Sequence, residues 1–448
     1  MNSIVPAPAP VPSAWRPLAA LSLWSLARDC GLVRRRPRKI QPLAVLQTSC
    51  LLALQPNVSL SGWAGLWSVF HGQTLSKQAV AKRCSAAAVS FLQSVLKALL
   101  AKLCSPALSP PKALAHFPRV LIQDSTCLSL PQKLAAQFPG SYSHSHGRSA
   151  TLRIQALYEV LSQSCLELAV GSFSQNDQQA SPSILSFARK GDLVLRDLGY
   201  AVLGVFEELA QKGIYFLSRW QPNTALLDPR NGQGLDLPAR LRAQGQWDAT
   251  VWLGKDKRLP VRLVAVPVPE AVAAERRRKL RANRDRRLRP SAARLALLGW
   301  DIFITNVPAA VWPPAIVPAV YGLRWRIEIL FKAWKSHFRL EAHTGGSAAQ
   351  VQVLVYGRLI WICLFQVSFL NCSACTAKVS VLKLADWSQN FLLPWLLAAH
   401  GLPRPANPIT LVAYYCRYEQ RRKRKNFHQK LASLGCRLCE CFRGCSNH

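Results

Sequence analysis

Apolar residues recur at helical spacing through Pro42–Leu54 and again through Ala86–Leu103, which predicts two helices that each bury a face. Between them Ser59–Lys82 carries two hydroxyl-opened segments, Leu60-Ser61-Gly62-Trp63 and Thr74-Leu75-Ser76-Lys77-Gln78, parted by Gly72. Beyond a Pro-rich stretch at Ser105–Lys112 the period shortens. Arg119–Gln123 is a short apolar run that predicts a strand ending at Asp124, followed by Leu128–Leu130; Leu152–Val160 and Leu166–Phe173 read as two more strands. Pro182–Arg189 reads as a helix, Asp192–Leu195 as a strand ending at Arg196-Asp197, Ala201–Lys212 as a helix, and Ile214–Leu217 as a strand closed by Arg219. That succession makes a mixed α/β layer. From Trp220 to Pro290 the rhythm breaks into turns, the alternating run Val261–Val266 and a dense basic run, Arg276–Arg289. It resumes with a strand at Trp300–Thr305 and a helix at Gly322–His337, with Ile327, Leu330, Phe331 and Trp334 on one face.

Charge changes the picture most. The chain has 57 Lys+Arg against 22 Asp+Glu, a formal net charge of +35 over 448 residues. So large an excess repels itself unless a polyanion neutralises it, and nucleic acid is the usual one; a membrane surface or a ribosome is the alternative. Basic residues spread along the whole length favour a large wrapped surface. In that light the two hydroxyl-opened segments, the second rich in Ser76, Lys77, Gln78, Lys82 and Arg83, resemble a helix-turn-helix, although a plain helical scaffold has the same pattern. Pro17–Ala27 is too short for an export signal, so the 14 cysteines are expected as reduced thiols in a cytosol. Cys436, Cys439, Cys441 and Cys445 lack the paired spacing of a zinc site, and an unstructured end is expected there. Leu359–Ala377 is uncharged but holds Gln366, Ser368, Asn371 and Ser373, so a buried core helix is expected and no membrane span.

In a chain with so few acids, those set in apolar sequence stand out: Asp124, Asp197, Asp301 and Glu328. Each alone is as compatible with a buried salt bridge as with chemistry, since unpaired burial is costly and arginine is plentiful. Taken together, two aspartates leaving strand ends and a glutamate on a helix beside them make an oxygen-rich cradle suited to Mg²⁺. Two such ions activate an attacking oxygen and stabilise a leaving one in phosphodiester displacement.

Tyr321, Arg324, Glu328 and Lys335, separated by two, three and six residues in YGLRWRIEILFKAWK, match the Y-R-E-K signature of bacterial insertion-sequence transposases with a DDE triad. The chain resembles that family from about residue 40 to 370, with Asp124 in Gln123-Asp124-Ser125-Thr126 similar to its first aspartate and Asp197 in Arg196-Asp197-Leu198 to its second. Leu198 stands where a basic residue is commoner in the family. The resemblance implies an RNase H-like mixed sheet with flanking helices, interrupted by a β-rich insertion and preceded by a helical DNA-binding region. Within that span the parts expected are 40–112 (helical, DNA-binding), 113–220 and 299–372 (the two halves of the core) and 221–298 (insertion); outside it, composition reads 1–39 as a disordered basic arm and 373–448 as a basic, Cys-rich region, dimerising or poorly ordered.

The resemblance further implies two Mg²⁺ ions, replaceable by Mn²⁺, on Asp124, Asp197 and Glu328. Tyr321, Arg324, Lys332 and Lys335 would grip phosphates. Trp300, assisted by Trp325, would stack on an extruded base, unless Trp300 is simply a core indole; Arg219 is a DNA contact or a solvated arginine. The activity implied is binding of terminal inverted repeats, cleavage of the DNA ends and their joining to target DNA by a synaptic homodimer in a bacterial cytoplasm. The alternatives are an RNase H-like nuclease and an inactive or domesticated transposase that only binds DNA.

Overall fold

In a computed structural model the protein is described at residues 15–34, 41–55, 58–72, 74–103, 108–145, 147–282, 290–342, 346–366, 379–392 and 425–444. Ten strands share one sheet: β1 (Val120–Leu130), β2 (Pro139–Ser143), β3 (Gly147–Glu159), β4 (Ser164–Ser172), β5 (Leu193–Arg196), β6 (Tyr215–Arg219), β7 (Leu226–Leu227), β8 (Trp247–Leu253), β9 (Leu259–Pro267) and β10 (Trp300–Thr305). They lie in the order β2-β3-β1-β5-β6-β10-β9-β8-β7, with β4 also paired to β3. Only β1, β5 and β6 run parallel to one another; the other pairings are antiparallel. The helix Leu203–Gln211 makes the crossover that parallel β5 and β6 require.

Two expectations change, and the place of the β-rich insertion becomes specific. β1 does not stop at Asp124 but runs on to Leu130, because Ser125–Leu130 pair with Gln155–Ala150 of β3 and a backbone ladder tolerates alternate polar side chains. Pro182–Arg189 is a short 3₁₀ segment, Ser181–Ser186, with no α-helix. The β-rich stretch after Trp220 builds no sheet of its own: β9 pairs along β10 from Pro267 opposite Trp300 to Arg262 opposite Thr305, so β7–β9 extend the central sheet.

Helices Pro42–Leu51, Leu60–His71, Lys77–Arg83 and Ala86–Lys102 precede the sheet. The hydroxyls of Ser59, Ser76 and Ser85 accept from the backbone N–H three residues on, capping the last three. Gly72 ends the second helix with φ 63°, a left-handed turn that a side chain would strain. The helix Ala348–Phe365 is long and apolar enough to cross a bilayer, yet it is mostly enclosed, against Pro42–Leu51 and Ala86–Lys102.

Both ends depart from the disorder expected of them. Within 1–39, Arg16–Ala19 and Leu23–Asp29 are helical and bury Leu18 and Ala27. Phe427–Gly444 is helical too, held by buried Leu431 and Leu434 and by the Arg326 guanidinium 4.4 Å over the Phe427 ring. The side chains of Cys436, Cys439 and Cys441, all of Cys445 and the basic runs 283–289 and 417–424 lie outside the described residues.

Gly357 decides how closely the helical region meets the core. A Cβ there would stand 2.7 Å from the Ser49 carbonyl oxygen, a backbone atom that cannot swing aside. Alanine in an open helix interior gains about 0.5–1 kcal/mol over glycine. Gly357→Ala is expected instead to destabilise by about 1–3 kcal/mol through overpacking. Gly65→Ala, in Leu60–His71 with nothing within 4 Å, should be neutral or stabilising. Urea unfolding of the two variants checks the contrast, and equal effects would refute the close approach.

Candidate active site

Side chains alternate across a strand, and here alternation sorts the sheet into two faces. Val120 and Ile122 of β1 and Leu193 and Leu195 of β5 join the larger core with Ile327, Leu330 and Trp334 of the helix Trp325–Ser336. Leu121 and Val194 point the other way, into the second core. The parallel register pairs Gln123 with Arg196. The next residues, Asp124 and Asp197, therefore leave on the face that the helix covers. On the opposite face Arg196, fully buried, donates to the Gln123 side chain at 2.7 Å and to Ser181 Oγ at 2.8 Å, tying the two strands together just behind the acids.

Glu328 lies on the first turn of Trp325–Ser336, and Arg324 stands four residues before it on the same side. Arg324 gathers all three acids. Its Nη1 is 3.2 Å from Asp124 Oδ2, and its Nη2 is 2.7 Å from Glu328 Oε1 and 3.7 Å from Asp197 Oδ1. The guanidinium is only 9% exposed, whereas Asp197 and Glu328 are 40% and 37% exposed, so the cluster opens to solvent on the acid side. Burial pulls Arg324's proton affinity down, but Tyr321 and the three carboxylates outweigh it and the net shift is upward. Burial raises Asp124 to about 6, against a backbone N–H from Ser125 and the charge of Arg324; Asp197 and Glu328 push it up further.

Among the described residues no three Asp, Glu, His or Cys side chains stand close enough to share one cation, because the acids meet through Arg324. In kind the donors suit a hard divalent ion: three carboxylates, two of them open to water.

A polar network that the sequence did not suggest stands beside β1. Asp177 Oδ1 accepts from Ser125 Oγ and Arg153 Nη1, each at 2.7 Å, and Gln155 accepts from the Tyr200 hydroxyl. It connects the residue after Asp124 with the turn after Asp197. Only position next to Asp124 could have flagged Ser125; Asp177 and Arg153 carry no local pattern.

The remaining residues fall into different surroundings. Lys335 donates to the Cys127 carbonyl at 2.5 Å and pairs with Glu341 at 3.4 Å, while Lys332 is exposed on the same helix. Trp325 is 53% exposed, with the Arg324 guanidinium 5.6 Å from its ring. Tyr321 is buried against Phe303, with Arg219 and Arg324 over its ring at 5.6 and 5.8 Å, so it steadies two arginines. Trp300 and Arg219 line a separate cleft of about 540 Å³ with Arg276, Lys279, Arg294 and Leu198. There Trp300 Nε1 donates to the Gly245 carbonyl, and Asp301 pairs with Arg276 at 2.8 Å and Arg219 at 3.5 Å; Asp301 is a salt-bridge residue.

A central sheet with β4-β3-β1-β5-β6 order, three parallel strands and acids on β1, just after β5 and on a helix further along the chain is the arrangement of RNase H-like enzymes acting on nucleic acid. The family described as "Transposase DDE domain" matches residues 115–364. The chain belongs to this family of insertion-sequence transposases. It is 30% identical over 361 residues to the transposase for insertion sequence element IS231D of Bacillus thuringiensis subsp. finitimus, covering 75% of this chain and 74% of that one. With the IS231C transposase of subsp. berliner it shares 30% over 372 residues, 78% and 77% of the two chains. The transposase for IS1151 of Clostridium perfringens is 27% identical over 322 residues, 67% and 68% of the two chains.

The raised Asp124 sets a pH dependence. Its folded value, about 6, exceeds the ordinary unfolded one of about 4. The neutral carboxyl therefore favours the fold at pH 4 and below, and that contribution is lost as pH rises through 6. Asp124→Asn keeps the neutral state throughout. Relative to the parent it should gain stability between pH 4 and 7, by up to about 3 kcal/mol. Urea midpoints at both ends of that range test this; a pH-independent difference contradicts it.

Proposed function

We propose that this transposase binds the terminal inverted repeats of its element, cuts the DNA ends and joins the 3′ ends to target DNA, with Asp124, Asp197 and Glu328 as the acids of the reaction. The observation that carries the reading is the meeting of three acids, far apart in sequence, on one guanidinium at an open rim of the sheet. These three carboxylates would hold two divalent ions, Mg²⁺ or Mn²⁺. Bound there, such ions lower the charge on the phosphodiester and make water or a 3′-hydroxyl a better nucleophile.

The protein's own groups handle the rest of the DNA. Arg324, Lys332 and Lys335 present cations along one helix, where they grip the phosphates flanking the broken bond. Trp325, exposed beside Arg324, offers a stacking face. The cleft of Arg219, Arg276, Lys279, Arg294 and Trp300, which Leu198 next to Asp197 also lines, offers a positive track and a place for an extruded base. The helices Leu60–His71 and Lys77–Arg83 supply end recognition. Two copies acting on two ends account for the pairing of repeats. In the first step water attacks the phosphorus and the 3′ oxygen leaves; in the second that 3′-hydroxyl attacks a target phosphodiester, whose own 3′ oxygen leaves and takes up the proton.

Glu328→Gln is the direct test. It keeps size and hydrogen bonding but removes one charge. Cleavage of end-labelled repeat DNA in Mg²⁺ or Mn²⁺ should fall by more than about 100-fold, the range reached by changing groups that merely support a metal ligand. Retention on the same DNA in a mobility-shift assay should remain within about threefold, since one buried-rim acid adds little to phosphate affinity. Undiminished cleavage would defeat the assignment, and an absence of cleavage by the parent protein would leave a DNA-binding protein only.

A further inference from the structure

The three acids are joined by a cation that the chain itself provides. Among the described residues Arg324 is the one basic group paired with Asp124, Asp197 or Glu328. The other cations nearby are engaged elsewhere: Arg219 with Asp301, and Lys335 with Cys127 and Glu341. The Arg324 guanidinium is almost excluded from water, where attraction to carboxylates is poorly screened. It also occupies the middle of the cluster, touching acids on both of its Nη atoms. A divalent ion bridging the same carboxylates and this guanidinium would contest one space and one set of oxygens. Two positive groups packed together there repel, so either can hold the acids but not both. Phosphate is the ligand equipped to draw the arginine off, since it accepts two parallel hydrogen bonds from the planar fork.

We propose that Arg324 fills the metal position in the DNA-free protein and exchanges its carboxylates for a DNA phosphate, so that metal loading is coupled to DNA binding. The inference rests on the function proposed above and adds an order of events. Free enzyme holds divalent ions poorly, and bound DNA, by withdrawing Arg324, opens the cradle. Linkage makes the coupling reciprocal: ions tighten DNA by the factor by which DNA tightens ions. A transposase wired in this way carries no loaded active site to DNA that does not engage Arg324.

Manganese binding, read by electron paramagnetic resonance of free Mn²⁺, tests this without any turnover. For the full-length parent chain, repeat-end duplex should tighten Mn²⁺ by about tenfold or more, with Glu328→Gln plus the same duplex as the blank for ions held by DNA alone. Arg324→Gln, checked for folding by its melting curve, should bind Mn²⁺ about tenfold tighter than the parent without DNA and gain little more when DNA is added. Weaker or unchanged Mn²⁺ binding by Arg324→Gln would overturn the inference and make Arg324 a plain organiser of the acids. Should that variant fail to fold, the parent alone decides: an affinity for Mn²⁺ equal with and without DNA overturns the coupling. If Glu328→Gln binds Mn²⁺ as well as the parent does, the acids are not the metal site, and the proposed function falls together with the inference.

Discussion

The parallel pairing of β1 with β5 is the constraint on which the site depends. It sets Gln123 beside Arg196, and side-chain alternation then sends Asp124 and Asp197 to the same face one step later. A slip of one residue in either strand would turn one aspartate into the opposite core, among Leu121 and Val194. The buried Arg196, bonded to Gln123 and Ser181, makes such a slip costly, because it would strand a desolvated guanidinium. The register is thus protected on the back of the sheet while the chemistry lies on the front.

The front also shows how a very basic chain manages its few acids. Most of the acids described are taken up by arginine or lysine: Asp192 by Arg119, Asp248 by Arg262, Asp301 by Arg276. Such pairs are structural. Asp124, Asp197 and Glu328 differ in number relative to their partner, with three carboxylates on a single guanidinium. That surplus of negative charge, and the desolvation that lifts Asp124, is unfavourable for the fold and is the usual mark of a place kept for a ligand.

The sheet serves as the platform for both kinds of contact. Because β6 and β10 continue the sheet from β5, Arg219 and Trp300 lie on the same continuous frame as the acids. The N-terminal helices are fastened to that frame through Ala348–Phe365, where Gly357 admits the Ser49 backbone. Motion of the helical region relative to the acids is accordingly restricted by close backbone packing.

Much of this was written in the chain. Period-two and helical spacing located β5, β10 and the helix carrying Glu328, because those segments pack one face on a core and the pattern records it. Scarcity of acids singled out Asp124, Asp197 and Glu328, and spacing singled out Arg324. What the chain could not reveal concerns partners distant in sequence. The extension of β1 beyond Asp124 is decided by β3 alongside it, the fusion of β7–β9 with the main sheet by the β9–β10 ladder, and the order of the end segments by the apolar surface that receives them. Pattern likewise gave no hint that Tyr321 packs against Phe303 or that Asp177 secures Ser125. Local composition determines which element forms and which face is apolar; only the folded chain determines which charges end within a few ångströms of one another, since that distance is set by elements far removed from one another in sequence.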